Sequence, residues 1–300
     1  MNEPIIIKKG LELELKIKSL AYGGMGLAKI DNFVIFVKNA IPGQHVKALI
    51  YKKKKGYAEA RVLSVIKESP NAIEVKCSHY WICSKLQSLS YKEQLKEKAM
   101  QVEEAFQRLG GFSDFKLNDI KGADPIYNYR NKMEFTFSPN RWVLDTEPEG
   151  VDSSFALGLH IPGRFDKILN ISECHIQPVI GNKILSIAQE VCLKHPDLKP
   201  YNPRTNIGFL RHLMLRYGVN TNQLMINIVT GYDDINKLSP LTDRLLDEIP
   251  EITSMVNNVN TRKADVAYGE FENLIFGNPY IEEKIGELTF EISANSFFQT

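Results

Sequence analysis

The chain opens on an alternation. In LELELKIKSL, residues 11–20, apolar and charged residues take turns, the period of a strand with one face turned inward. NFVIFVKNA and ARVLSVIKE follow at 32–40 and 60–68, rich in β-branched and aromatic residues. Together these runs predict a small β-barrel over residues 11–68. Tyr22-Gly-Gly-Met-Gly-Leu-Ala28 lies between the first two runs and permits left-handed turns or a close backbone approach. It lacks the GxxxxGK[ST] pattern of a phosphate-binding loop. Ala40-Ile-Pro-Gly-Gln-His45 marks a further turn, and Ser69-Pro-Asn-Ala72 closes the region.

The period then lengthens. From Tyr91 to Gly111, Leu95, Ala99, Val102, Phe106 and Leu109 recur at three- and four-residue steps, and Gly110-Gly111 ends the run. This predicts an amphipathic helix with an apolar stripe for a neighbouring domain. An alternating strand starts at Met133, and a helix over 179–195 carries Ile180, Ile184, Ile187, Val191 and Leu193. Arg211–Arg216 and Gln223–Val229 read as two strands joined by the turn Gly218–Asn222. A short helix Ser239–Ile249, a strand Ile252–Asn260 and the segments Leu274–Asn278, Tyr280–Glu283 and Leu288–Thr300 complete the chain. The expected fold is α/β and multidomain, with a central domain built on a mainly antiparallel sheet.

Composition narrows the class. At 300 residues, with 43% hydrophobic and 24% charged positions, two or three globular domains are expected. No apolar run approaches the ~18 residues of a membrane span and no signal peptide opens the chain, so no membrane partner and a cytoplasmic location are expected. Four cysteines form no disulfide framework. The net charge of +1 hides an asymmetry: residues 1–68 hold 13 Lys/Arg against 6 Asp/Glu. A polyanion would meet this first region preferentially.

Four groups of residues could carry chemistry. Lys52, Lys53, Lys54 and Lys55 stand between Tyr51 and Tyr57, where lysines could hold phosphates and tyrosines stack on bases; a solvated charged loop fits equally. Arg130 and Lys132 flank Asn131 at a strand mouth, placed for a phosphate or a base edge, or simply for a polar turn. His160 and Arg164 lie near a turn, with a structural role as the alternative. Cys77 and Cys83 form a close pair and Cys174 returns almost a hundred residues later. Such thiols either bind a metal centre or pack as small hydrophobes.

The block YGGxGxA…VFVxxAxPGxxV…KKxxxAxA resembles a TRAM domain, an OB-like RNA-binding barrel. YRNKMEFTF, GLHxxGRFDxIxxIxxCxIQ, LRHLMLR…QLMINIVT and ISANSFFQT follow in order. With the barrel, they resemble the RNA (uracil-5-)-methyltransferases, specifically the type acting on 23S ribosomal RNA. The resemblance implies a TRAM domain over 1–68, a cysteine-containing linker over 69–90, and a helical segment over 91–121 that packs on a methyltransferase domain. A central domain over 122–287 follows, then the beginning of a Rossmann-like methyltransferase domain at 288–300, largely absent because the chain is truncated there.

It further implies 5-methyluridine formation in 23S rRNA with S-adenosylmethionine as cofactor and a monomeric enzyme. In the family a cysteine thiolate adds to C6 of uracil, and a base later removes the C5 proton. Both groups would lie beyond Thr300, which leaves Gln299 as the cofactor contact, an incomplete site and a chain inactive alone. The family's iron–sulfur motif is Cys-x5-Cys-x2-Cys with a distant fourth cysteine. Here Cys77, Cys83 and Cys174 match, but Ser84, Lys85 and Leu86 supply no further thiol, so the ligand set is incomplete. Zinc held by Cys77, His79, Cys83 and Cys174 is the alternative. From the residues without the resemblance, a free-standing RNA-binding module without catalytic activity is the alternative function.

Overall fold

The computed structural model describes residues 6–144, 146–263 and 266–298. The chain folds as two units, residues 1–123 and 124–300, each with its own core.

The first unit is a six-stranded sheet of β1 (Glu12–Lys16), β2 (Ser19–Ala21), β3 (Met25–Ile30), β4 (Phe33–Lys38), β5 (His45–Lys53) and β6 (Tyr57–Lys67). The strand order is β1-β5-β6-β4-β3-β2, with β4 and β6 the parallel pair. Alternation is obeyed: Ile35, Val37, Val46, Ala48, Ile50, Ala58 and Ala60 are buried, while Phe36, Lys38, Tyr51, Tyr57 and Glu59 point outward. The glycine run makes the β2–β3 turn, with Gly23 and Gly24 in the left-handed region at φ +89° and +83°.

After a single helical turn, α1 (Tyr80–Cys83), comes the 18-residue helix α2 (Tyr91–Arg108). Its buried position is acidic. Glu97 Oε2 accepts a 2.9 Å bond from the Leu20 amide and Gln101 Nε2 donates to the Leu20 carbonyl, which ties α2 to strand β2. Val102, Phe106 and Leu109 of the expected stripe are exposed, and Phe112 and Phe115 fold back toward Phe106 with ring centroids 5.8 and 5.2 Å away.

The second unit contains β7 (Lys132–Ser138), β8 (Ala156–His160), β9 (Ile168–Asn170), α3 (Val179–Lys194), β10 (Leu210–Gly218) and β11 (Gln223–Thr230). A 3₁₀ turn (Ile235–Leu238), α4 (Ser239–Glu248), β12 (Ile252–Val259), β13 (Phe271–Gly277), β14 (Tyr280–Ile285) and β15 (Leu288–Ser293) follow. Seven strands form one sheet in the order β13-β12-β11-β10-β7-β8-β9. Its one parallel pair, β11–β12, is joined through α4, as a parallel connection requires. Met133, Phe135, Phe137, Leu213, Leu215, Ile226 and Ile228 form the apolar face and share a core with Ile184, Ala188 and Val191 of α3 and with Leu241 and Leu245 of α4. The β13 end is set by Gly277, at φ +71°, where a Cβ would lie 2.0 Å from the Thr253 carbonyl oxygen.

One expectation is corrected. The described residues 288–298 form no part of a Rossmann-like sheet. β15 pairs antiparallel with β14 as a separate two-stranded hairpin, and Ile281, Ile292 and Ala294 close against Met225 and Val256 on the second face of the seven-stranded sheet. A Rossmann sheet begins with parallel strands crossed over through helices. Here the closing strand completes its pairing within the central unit. The buried Glu283 carboxylate anchors the hairpin by accepting from the amides of Val219, Asn220 and Lys284.

Candidate nucleic-acid interface

The second face of the large sheet is polar because alternation puts Lys132, Glu134 and Thr136 of β7 in register with Arg216, Met214 and His212 of β10. Asn227 of β11 and Asn258 of β12 continue it, with Asn258 Nδ2 donating to Asn227 Oδ1 at 3.1 Å. The hairpin covers the part of this face around Met225 and Val256. What it leaves open is a cleft of about 320 Å³ lined by Lys132, Glu134, Met214, Arg216, Val266, Ala267, Tyr268, Ala294 and Asn295. That size falls in the range of about 300–1,000 Å³ usual for small-molecule sites.

Two cations share the cleft. Burial lowers the pKa of the half-buried Lys132 ammonium, and the charges of Arg216 and Arg130 push the same way against the opposing pull of Glu134. Burial likewise lowers that of Arg216, which is 4% exposed. The guanidinium is clamped by Nη2 donating to the carbonyls of Ala294 (3.1 Å) and Ser296, while its Nε has no acceptor among the described residues. An electropositive, partly desolvated pocket of this kind suits a phosphate or the carbonyl oxygens of a base.

Of the residues singled out in the sequence, Lys132 lines the cleft and Arg130 stands beside it, its Nε donating to the Lys132 carbonyl at 3.0 Å. His160 Nε2 and His212 Nδ1 both lie 3.2 Å from Thr136 Oγ1, and the Arg164 guanidinium stacks 5.9 Å from the Trp142 ring. Neither His160 nor Arg164 lines the cleft. Lys52, Lys53, Lys54 and Lys55 belong to the first unit and are exposed, but Lys52 is paired with Glu59 at 2.5 Å. The remaining lysines cap a surface on which Phe36 meets Tyr57 edge-on at 5.6 Å and Lys38 lies 4.9 Å from the Tyr51 ring.

Cys77 and Cys174 are buried and Cys83 is exposed. Among the described residues, no group of three or more His, Cys, Asp and Glu side chains is arranged to hold a metal ion. Gln299 lies outside the described residues. The parallel unit β11–α4–β12 turns through Gly231-Tyr-Asp-Asp234, which is not a glycine-rich cofactor loop, so no S-adenosylmethionine cradle is assigned among the described residues. No described helix is long and apolar enough to cross a membrane.

Sequence reasoning missed Arg216, Tyr268 and Asn295. Arg216 had a signal: in LRHLMLR it falls in phase with His212 and Met214 and out of phase with Leu213 and Leu215. Tyr268 had none, and Asn295 stood out only as part of the motif ISANSFFQT, because loops far apart in the chain bring the two to the sheet.

Residues 8–63 match the TRAM domain family. An uncharacterised RNA methyltransferase of Chlorobaculum tepidum is 39% identical over 100% of this chain and 64% of its own length. A second, from Porphyromonas gingivalis, is 36% identical over 95% of this chain and 63% of its own length. Among solved structures, the Pyrococcus abyssi tRNA (uracil-54, C5)-methyltransferase in complex with S-adenosyl-L-homocysteine superposes with a TM-score of 0.68 at 22% identity. That match covers 96% of this chain and 61% of the other, and it shows a shared fold. The chain spans somewhat under two thirds of these relatives' length. The barrel thus matches TRAM, and nearly the whole chain is similar to proteins that carry the name RNA methyltransferase.

Proposed function

We propose that the protein acts in the S-adenosylmethionine-dependent methylation of uracil C5 in RNA, forming 5-methyluridine, with 23S ribosomal RNA as its substrate and the cytoplasm as its location. The observation that carries this reading is the cleft, where Lys132 and Arg216 share one rung of a sheet beneath an exposed Tyr268. Two clustered cations supply the salt-sensitive phosphate term, and an aromatic ring at their side suits an unstacked base. The barrel surface of Phe36, Tyr51 and Tyr57 with Lys38, Lys53, Lys54 and Lys55 adds a stacking platform for single-stranded RNA. When bound, S-adenosylmethionine would supply the methyl group.

A second reading, an RNA-binding protein without transferase chemistry of its own, is favoured by the thiols. Cys192 is buried and desolvation pushes its pKa up to about 12, while Cys77 and Cys174 are also buried. Burial keeps these three thiols from a substrate base, whereas Cys83 is exposed. One experiment separates the readings. Unmodified 23S rRNA transcript is incubated with the full chain and S-adenosylmethionine, digested to nucleosides and analysed by mass spectrometry. 5-Methyluridine above the no-protein control supports the first reading. Salt-sensitive RNA binding without methyl transfer supports the second, and no RNA binding overturns both.

A further inference from the structure

We propose that Asn295 is the specificity-determining residue of the cleft: its side-chain oxygen, locked outward as an acceptor by Glu272 and Asn258, reads the N3–H of a uracil base. The inference rests on the proposed function and adds to it the residue that tells uracil from cytosine.

An asparagine amide usually turns over freely and offers either its oxygen or its nitrogen. This one cannot. Asn295 Nδ2 donates to Glu272 Oε1 at 2.6 Å and to Asn258 Oδ1 at 3.0 Å, and both of its protons are thereby used. Both ends of the chain of amides are anchored by groups of fixed polarity. The Glu272 carboxylate can only accept. At the other end the Gly269 backbone amide, which can only donate, gives its proton to Asn258 Oδ1 at 3.2 Å. That bond turns Asn258 Nδ2 toward Asn227 Oδ1, at 3.1 Å, and Asn227 Nδ2 in turn toward Met214 Sδ at 3.4 Å. Every amide in the row therefore has one orientation, and reversing Asn295 would set its oxygen against two acceptors.

The oxygen of Asn295 receives no hydrogen bond from any described residue, and the side chain is exposed where it lines the cleft. Around it the cleft is lined by two donor groups, the Lys132 ammonium and the Arg216 guanidinium. Two donors and one acceptor are the complement of the uracil edge, which carries O4 and O2 as acceptors and N3–H as the donor. Cytosine carries an N3 acceptor, which would meet the Asn295 oxygen with like polarity, and a single carbonyl. Tyr268 offers the base a ring to stack on. The cleft volume of about 320 Å³ accommodates one extruded base and its ribose.

The test uses the full chain and short RNAs of abasic units carrying one central base: uracil, cytosine or N3-methyluracil. The last keeps both carbonyls and replaces the N3 proton by a methyl group. Wild-type protein should bind the uracil RNA about 10-fold more tightly than either of the others, the discrimination of one hydrogen bond against an unpaired or repelled group. Asn295→Ala should lose that preference with unchanged affinity for the cytosine RNA. Glu272→Gln, which releases the lock without altering the cleft wall, should narrow the preference. Equal binding of the three RNAs by the wild type, or a preference retained in Asn295→Ala, overturns this proposal alone. Failure to bind any RNA overturns the proposed function along with it.

Discussion

Lys132 stands opposite Arg216 in the β7–β10 ladder, so two cations share one rung of the sheet. Like charges in this position cost roughly 0.2–1 kcal/mol, and of the two only Arg216 is tied into the fold, through the Ala294 and Ser296 carbonyls. An anionic ligand would offset the repulsion. Lys132→Met should therefore leave the urea midpoint unchanged or slightly raised, while it weakens RNA binding and lowers the slope of log K against log salt by about 0.7–0.9. A clear loss of stability would show instead that the pair supports the fold.

The same rung predicts a pH dependence. The folded-state pKa of Lys132 is lowered, first by burial and then by Arg216. Below that depressed value the folded protein bears the full cost of the buried charge. As pH rises from it toward the ordinary lysine value, the unfolded chain binds the proton more readily than the folded one, so stability increases. RNA affinity moves the opposite way, since binding uses the charge. Urea titrations at successive alkaline pH values should show this contribution in the wild type and not in Lys132→Met; parallel curves for the two proteins would refute it.

How much of this was legible in the sequence depends on the range over which each feature is encoded. The strands and helices were legible because alternation and three-to-four spacing are local: Ile35 and Val37 against Phe36 and Lys38, or Ile184, Ile187 and Val191 along α3. The helix stripe of Val102, Phe106 and Leu109 was legible as a pattern but not as a contact. The buried position of α2 proved to be Glu97, whose partner Leu20 is 77 residues away. The cleft was half legible. Lys132 announced itself at a strand mouth, whereas Asn295 acquires its meaning from Glu272, Asn258 and Gly269, which only the fold brings together. The closing strand was misread because its motif matched a resemblance while its pairing partner, β14, lay next to it in the chain.

Glu97 yields a sharper stability prediction. Its carboxylate is the buried partner of the Leu20 amide on the edge strand β2. Glu97→Ala leaves that amide without an acceptor, at a cost of about 1–3 kcal/mol. Hydrogen exchange at Leu20 should accelerate more than at the barrel-core residue Ile35. Uniform acceleration across the barrel would mean that the helix contributes through packing and not through this bond.

Gly277 should tolerate no side chain. Its φ of +71° already disfavours an L-residue by roughly 1–2 kcal/mol, and a Cβ would approach the Thr253 carbonyl oxygen to 2.0 Å. Gly277→Ala should lower the unfolding midpoint by more than that conformational penalty alone and loosen β13 from β12. A variant as stable as the wild type would mean that the backbone relaxes at this turn without difficulty.

The lysine cluster of the barrel should not act as four equal charges. Lys52 lies 2.5 Å from the Glu59 carboxylate, which also accepts from the Tyr51 hydroxyl at 2.8 Å. Lys52 first, and then Tyr51, hold the Glu59 carboxyl below its usual range. The pair is exposed enough for its own stability contribution to be small, but its charge is already cancelled from the standpoint of an RNA phosphate. Lys53, Lys54 and Lys55 carry no carboxylate partner among the described residues and remain available. Lys52→Ala should therefore change the salt slope of RNA binding by less than Lys53→Ala or Lys55→Ala, each of which removes up to about 0.7–0.9 where a phosphate contact is lost. Glu59→Gln, which frees Lys52 and keeps an acceptor for Tyr51, should tighten binding and steepen the slope. Equal slopes for all the lysine variants, with no gain in Glu59→Gln, would show that RNA does not meet this face of the barrel.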